Sequence, residues 1–383
     1  MTPFAIFAAD LHLAQRTRAS FPTMCGDAYF GLRQLVDLAN MLKLPLVFAG
    51  DIFDKPMVDS QTLHVYLNEL ARLDPGRFVY AVEGDHELAN PRWFTFSDRA
   101  VPLADAPVRL PCGVTLFGVD FQRADTLPQK LLDVAQQFED VKHAFNLTPA
   151  NSILVTHEGW AEMRQLGHTE GKFTDVSRFK TMFAGDFHTH GVWHGKNAEG
   201  DDLTVYSAGS TCMQSVSEAP EKKVFIGNLT SSGEIVMLPH VLKTRPFLHM
   251  HITSEVEARR ALESCQTLLN FFSFVTELPP ELHMPFVYLE TQIDLHEISG
   301  ELRKLAKQLH LHIVYRAPEV AAIANDAVIA RIEVQTSMVE AVKRRASAAD
   351  IQADALALWQ SESPADTIAA IRKRVSDDAV NQT

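Results

Sequence analysis

The chain lacks paired cysteines, long apolar runs and any excess of positive charge. Its four cysteines, Cys25, Cys112, Cys212 and Cys265, are dispersed without CxxC spacing. That excludes a zinc-finger or disulfide framework and fits reduced thiols. No apolar stretch approaches the roughly 20 residues a membrane-spanning helix needs. The opening stretch, MTPFAIFAADLHLAQRTR, has no basic leader and meets a charge at Asp10, so no secretory signal is expected. There is no internal repeat and no low-complexity tract. The formal net charge of −13 argues against holding nucleic acid by bulk attraction. An anionic substrate would need local cations, which metal ions could supply. These absences lead to the expectation of a cytoplasmic protein, of a bacterial cell or a phage-infected host.

What is present is ordinary globular composition, 46% hydrophobic and 22% charged over 383 residues, long enough for two or three domains. PFAIFAAD, LPLVFAGD, RFVYAVEGD, GVTLFGVD, NSILVTHE and KTMFAGDFH each run apolar and end on a polar residue, as buried strands do when they deliver side chains to one edge of a sheet. Between them SQTLHVYLNELARL carries Leu63, Leu67 and Leu70 at helical spacing. The pattern predicts an α/β fold, a layered αββα sandwich, over residues 1–245. A smaller α/β domain is expected over 246–318, from FLHMHI, EVEARRALESCQTLLNFF, PFVYLETQI, ISGELRKLAKQL and HIVYRA. A helical tail follows over 319–383, with a cap at Ser363 and an apolar row of Ile368, Ile371 and Val375.

The strand ends share a feature. The first yields Asp10-Leu-His12, the second Gly50-Asp51-Ile-Phe-Asp54, the third Gly84-Asp85-His86-Glu87. The fifth ends at His157 and the sixth gives His188-Thr-His190. On extended backbone residues i and i+2 point the same way, so Asp10 with His12, and His188 with His190, can each present two donors to one place. Oxygen and imidazole donors without thiolate favour Mn²⁺, Fe²⁺, Zn²⁺ or Mg²⁺. Five such ends in order point to a dinuclear metal site.

The ordered set resembles the calcineurin-like metallophosphoesterase superfamily, with its DxH, GDxxD, GNH[DE], lone H and GHxH motifs. Within it the chain is most similar to SbcD-like DNA repair nucleases, the subunits that work beside an SMC-type ATPase. AGDIFDKPMVDS is similar to that family's GD-[IL]-F-D segment, and VYSAGSTCMQSVSE resembles its Y-x-x-GS segment ending in S-x-x-E. The unit after residue 245 sits where those nucleases carry a DNA-capping domain. The resemblance covers residues 1–245 by motif and 246–318 by architecture.

The resemblance implies that one ion, most expectedly Mn²⁺, takes Asp10, His12 and His190. A second takes Asp85, His157 and His188, and Asp51 bridges them. Two such ions about 3.5–4 Å apart activate water for in-line attack on phosphorus. His86 would face the scissile phosphate as acid or charge stabiliser, and Asp54 would orient a ligand from behind. The implied activity is double-strand exonuclease and single-strand endonuclease cleavage in recombination or repair. The implied partners are DNA, the ATPase subunit (docked on the tail) and a second copy of the chain, through the SQTLHVYLNELARL helix. The alternatives are a phosphodiesterase for small nucleotide-type substrates and a catalytically silent scaffold.

Two positions depart from the pattern: Phe187 stands at the glycine of GHxH, and Asp85 stands where the family has asparagine. Two divalent ions bring four positive charges, against three from Asp10, Asp51 and a bridging hydroxide; ionised Asp85 makes the sum zero. Arg16, Arg18, Lys55, Arg92, Arg164, Lys172, Arg178 and Lys180 are candidates for phosphate contacts, and Trp93 and Phe94 for a base stack or a core wedge. His64, His143, His168, His194, His249 and His251 read as surface or core histidines. Asp27, Asp37 and Asp59 read as solvated or capping carboxylates.

Overall fold

A computed structural model describes residues 1–16, 24–88, 91–163, 169–272, 278, 282, 284–293, 295 and 298–315. Strands β1 (Thr2–Ala8), β2 (Leu46–Ala49), β3 (Val79–Val82), β4 (Ala100–Pro102), β11 (Lys222–Leu229) and β12 (Ile235–Leu242) form one sheet in the order β12-β11-β1-β2-β3-β4. Strands β5 (Val108–Arg109), β6 (Thr115–Val119), β7 (Ser152–His157), β8 (Thr181–Gly185), β9 (Gly191–Lys196) and β10 (Asp202–Ser207) form a second, in the order β5-β6-β7-β8-β10-β9. Both are mixed. β1, β2, β3 and β4 are parallel, as are β6, β7, β8 and β10. The outer pairs are antiparallel.

The strand alternation sorts side chains into three apolar layers. Ile6, Ala8, Leu46 and Phe48 pack with Leu32, Leu35 and Val36 of α1 (Asp27–Leu42) and Tyr66 and Leu70 of α2 (Ser60–Ala71). Phe7, Ala9, Val47 and Ala49 turn the other way, onto Leu116, Ile153, Val155 and Phe183 of the second sheet. That sheet's other face, with Phe117, Leu154 and Met182, packs on Leu131, Val134 and Phe138 of α3 (Leu127–Phe145). Each fully buried large side chain is worth about 1.5–3 kcal/mol. The central strands are buried on both faces, so their ends are good places to hold side chains accurately. Asp59 caps α2, its carboxylate accepting from the Thr62 N–H at 2.9 Å.

A third, parallel sheet runs β13 (Phe247–Ile252), β14 (Phe286–Thr291) and β15 (His310–Tyr315). One face packs on α4 (Glu255–Phe272) and α5 (Ser299–Leu305) through Ile252, Ala258, Leu289 and Leu302. The helical tail expected at 319–383, with Ser363, Ile368, Ile371 and Val375, lies outside the described residues, as do Arg18, Arg164 and His168. Among the described residues, no helix is long and apolar enough to cross a membrane.

Asp27, expected to be solvated or capping, is instead buried at the start of α1 against Arg245, which lies just before β13. The guanidinium donates to both Asp27 oxygens, at 2.8 and 3.0 Å, and to the carbonyls of Met284 and Cys25 at 2.8 and 3.2 Å. Removing one partner of a buried pair leaves an uncompensated charge, whereas replacing both with apolar groups is often neutral. Arg245→Met should therefore lower stability by about 3 kcal/mol. The double change Asp27→Leu/Arg245→Met should recover most of that loss, read as the midpoint of urea unfolding. Equal losses in single and double variants would contradict this account.

Candidate metal centre

Five parallel strands, β1, β2 and β3 of one sheet and β7 and β8 of the other, end at the same edge. In sheets of this kind ligands collect outside the carboxyl ends of the strands. The chain must turn sharply there, and it does so through left-handed backbone. Of the seven described non-glycine residues with positive φ, four belong to this edge: Asp10 (52°), His12 (45°), Asp51 (50°) and Asp186 (71°). Such conformations cost on the order of 1 kcal/mol each and tend to persist where surrounding structure imposes them. The packing leaves no slack. A Cβ on Gly84 would lie 2.1 Å from Asp51 Oδ1, and one on Gly185 would lie 2.0 Å from the Ala49 carbonyl.

Asp51 sits at the middle, 2% exposed. Its Oδ2 lies 3.4 Å from His12 Nε2, and its Oδ1 lies 3.5 Å from His157 Nε2 and accepts the His86 N–H at 3.1 Å. Burial works against its charge, but His157, His12 and His86 outweigh burial and hold the carboxyl far below the usual range. On one side Asp10, His12 and His188 form a group within ligating reach of one point. The Nε2 atoms of His12 and His188 approach to 3.0 Å, and Asp10 Oδ1 lies 3.9 Å from the latter. On the other side the group is Asp85, His157 and Asp186, with Asp85 Oδ1 3.4 Å from His157 Nε2. Asp10, Asp51 and His157 form a third overlapping group, and His12, Asp51 and His86 a fourth.

The imidazole tautomers follow from their back-side partners. A carbonyl or carboxylate oxygen only accepts, so the nitrogen facing it must carry the proton. His157 Nδ1 donates to the Ala49 carbonyl at 2.7 Å and His188 Nδ1 to Glu218 Oε1 at 3.0 Å. In the neutral form each would present its Nε2 lone pair to the centre; without a cation there, and burial notwithstanding, the surrounding carboxylates favour a proton on His157. His157 Nε2 and Asp10 Oδ2 are buried and have no hydrogen-bond partner. Buried polar atoms are nearly always satisfied. Two orphans converging with further carboxylates are what a cation-binding site requires, so the donor set fits divalent ions. Behind His86 the same logic holds: its Nδ1 donates to the Asp54 carbonyl at 2.9 Å, leaving Nε2 for a substrate. Asp54 Oδ1 stands 3.5 Å from His12 Nδ1, the position expected of an orienting carboxylate.

The structure departs from the expected ligand set in the sixth motif. His190 joins none of these groups: its ring stacks on Phe225 with centroids 4.5 Å apart. His188, expected beside Asp85 and His157, sits with Asp10 and His12 instead, and Asp186 takes the expected place. The expectation assumed extended backbone, but Asp186 is left-handed and the segment between β8 and β9 is bent and irregular. The i, i+2 pair turned to the site is Asp186 and His188. Phe187, between them, points into the core beside α3, against Trp193 at 5.4 Å. The signal was available, because LVFAGD, VYAVEGD and TMFAGD all finish a strand with Gly-Asp. Asp186 also changes the charge sum: Asp10, Asp51, Asp85 and Asp186 bring four negative charges before any further anion.

Two other carboxylates support the site. Glu87 is buried, and its oxygens accept from the Phe53 and Gly84 N–H groups at 2.8 and 3.1 Å, tying the β2 and β3 loops together. Burial, reinforced by the Asp51 charge, pushes its carboxyl up to about 8. Glu218, at the end of the VYSAGSTCMQSVSE segment, holds His188 with one oxygen; the other accepts from Ser210 Oγ, the Gln214 N–H and Lys222 Nζ at 2.8, 3.1 and 2.6 Å.

No family model matches the chain, and no curated protein matches it. The site's chemistry therefore stands on the geometry. Several basic candidates are committed elsewhere. Arg92 is bound by Glu83, Asp105 and Asp120, Arg178 by Glu139 and Glu199, and Lys180 lies 3.6 Å from Asp201. Trp93 is a wedge against the first core layer, its Nε1 donating to the Pro56 carbonyl at 2.8 Å. Arg16, Lys55 and Lys172 are exposed.

Burial opposes the Glu218 charge, but His188 and Lys222 hold the carboxyl down at about 2 from its ordinary 4.5. A depressed carboxyl stabilises the fold above its unfolded value and loses that contribution as pH falls. Glu218→Gln leaves the buried Lys222 ammonium without its anion and should cost about 3 kcal/mol at neutral pH. The gap between wild type and variant should close as pH falls from 4.5 towards 2, measured by denaturant unfolding at each pH. A pH-independent gap would count against the ion pair as its source.

Proposed function

We propose that the protein is a calcineurin-like metallophosphoesterase of the SbcD-like kind, a metal-dependent DNA nuclease. The observation that carries this reading is the placement of Asp51. It turns one oxygen towards His12 and the other towards His157, between two groups that each gather three donors. A carboxylate so shared suits a bridge between two cations. The layered arrangement of two mixed sheets with α1 and α2 on one face and α3 on the other supports the metallophosphoesterase fold.

In this reading Asp10, His12, His188 and Asp51 hold one ion, and Asp51, Asp85, His157 and Asp186 the other. Two divalent ions there would supply an activated water at neutral pH and positive charge for the phosphoryl oxygens. The second set offers three carboxylates and one imidazole. Such oxygen-rich sets suit hard cations, which favours Mn²⁺ or Mg²⁺ over Zn²⁺ at that position. His86 stands beside His12 with ring centroids 4.8 Å apart and is fixed through the Asp54 carbonyl. Its outward nitrogen can donate to a phosphoryl oxygen or protonate the leaving oxygen. The sheet of β13 to β15 is proposed as the DNA-facing cap, an SMC-type ATPase as partner of the tail, and a second copy as partner of α2.

Manganese-dependent digestion of end-labelled duplex DNA tests the reading. His86→Ala should slow cleavage by about 10²–10⁴-fold, the range for loss of a general acid, while bound Mn²⁺ stays at the wild-type level. Cleavage of bis-p-nitrophenyl phosphate with no action on DNA would favour a small-substrate phosphodiesterase. Unaltered cleavage by the variant would remove His86 from the chemistry.

The ligand register is tested separately by counting bound Mn²⁺ after dialysis. Asp186→Ala and His188→Ala should each lose about one ion per chain, and His190→Ala none. The reverse pattern would restore the histidine pair as ligands.

A further inference from the structure

The sequence HMHI reads as a pair of bland histidines, but β13 is extended from Phe247 to Ile252. His249 and His251 are therefore i and i+2 on one face. The opposite face carries Met250 and Ile252 into the core with α4. In the parallel register His251 stands beside Glu290 of β14, on the same face. The three side chains form a group of potential ligands within 4.8 Å of one another. It is separate from the Asp51 centre and shares no residue with it.

We propose that His249, His251 and Glu290 form an additional binding site for a single transition-metal ion of the Zn²⁺ class. Glu290 is only 7% exposed, and its two oxygens address different imidazoles: Oε2 lies 3.1 Å from His251 Nδ1 and Oε1 lies 3.7 Å from His249 Nε2. The histidine rings are 4.6 Å apart. His249 Nε2 is buried and has no hydrogen-bond partner. A buried, unsatisfied imidazole nitrogen next to a buried carboxylate is costly unless something positive lies between them. The Tyr288 ring meets His249 edge-on at 5.3 Å and fixes its plane. His251 is 68% exposed, so the ion would enter from solvent on that side.

Two imidazoles and one carboxylate suit borderline cations such as Zn²⁺, Co²⁺ or Ni²⁺ rather than Mg²⁺ or Ca²⁺, which prefer oxygen. Three protein donors leave at least one tetrahedral position for water or for a group from another molecule. The ion would join β13 to β14 at the end remote from Phe247 and Phe286, which pack with Met24 and Met213. This site does not depend on the nuclease reading.

The test counts Zn²⁺ per chain on chelator-stripped, full-length protein after dialysis at micromolar free Zn²⁺. Wild type is compared with His251→Ala, Glu290→Gln, His157→Ala and the double variant His251→Ala/His157→Ala. His251→Ala should bind about one ion fewer than wild type, and the same decrement should appear in the His157→Ala background. Glu290→Gln should match His251→Ala. The exposed His251 change is the safer variant should Glu290→Gln fail to fold. An undiminished count in folded His251→Ala would overturn the proposal. So would a decrement that vanishes once the Asp51 centre is disabled, which would make the effect indirect.

Discussion

The structure is organised around one electrostatic constraint, a buried carboxylate at Asp51 whose charge the surrounding imidazoles favour against burial. Burial alone would raise its pKa. His12, His157 and His86 reverse that; backbone carbonyls hold His157 and His86 from the far side, and Asp54 Oδ1 lies 3.5 Å from His12 Nδ1. Asp10, Asp85 and Asp186 then crowd the same histidines. Protons on the imidazoles offset part of this charge, while Asp10 Oδ2 and His157 Nε2 still have no hydrogen-bond partner. Divalent cations would satisfy both the charge and the orphaned atoms.

The backbone shows what this constraint demands. Three strands end in Gly-Asp because the glycine must let neighbouring chain pass within contact distance and the aspartate must turn back immediately. At Gly84 a side chain would collide with Asp51, and at Gly185 with the β2 backbone. The aspartates accept left-handed or irregular geometry more readily than most residues, since their short side chains hydrogen-bond locally. The strained positions rest on strands buried on both faces, so the apolar layers hold the polar edge in place.

Much of this was legible in the sequence. The apolar runs predicted the strands, and the polar residue ending each run predicted one shared edge. The limits came where a local rule met non-local packing. Spacing of i and i+2 dictates a shared direction on extended chain, as for His249 and His251 within β13, but not in the bent segment after β8, where Asp186 pairs with His188 and His190 turns away. Glu218 and Glu290 could not be assigned from spacing, because each meets its histidine across the fold, 30 residues away in one case and on an adjoining strand in the other. Arg92 is a basic residue beside a motif in sequence, yet three carboxylates surround it in space.

The charge distribution sets a further condition on the proposed chemistry. Four carboxylates balance two divalent ions, so the loaded centre would offer a phosphodiester little net attraction, and the chain as a whole is acidic. Arg92, Arg178 and Lys180 are already paired and add little. Recognition would then rest on coordination of the phosphoryl oxygens rather than on long-range steering, and it would be less sensitive to salt than that of a basic nuclease. The centre is also uneven. The half built from His12, His188 and Asp10 is richer in nitrogen, and the half built from Asp85, Asp186 and His157 is richer in oxygen. Two ions bound there would not have to be the same element, and the oxygen-rich half is where a hard cation such as Mn²⁺ would gain most over Zn²⁺.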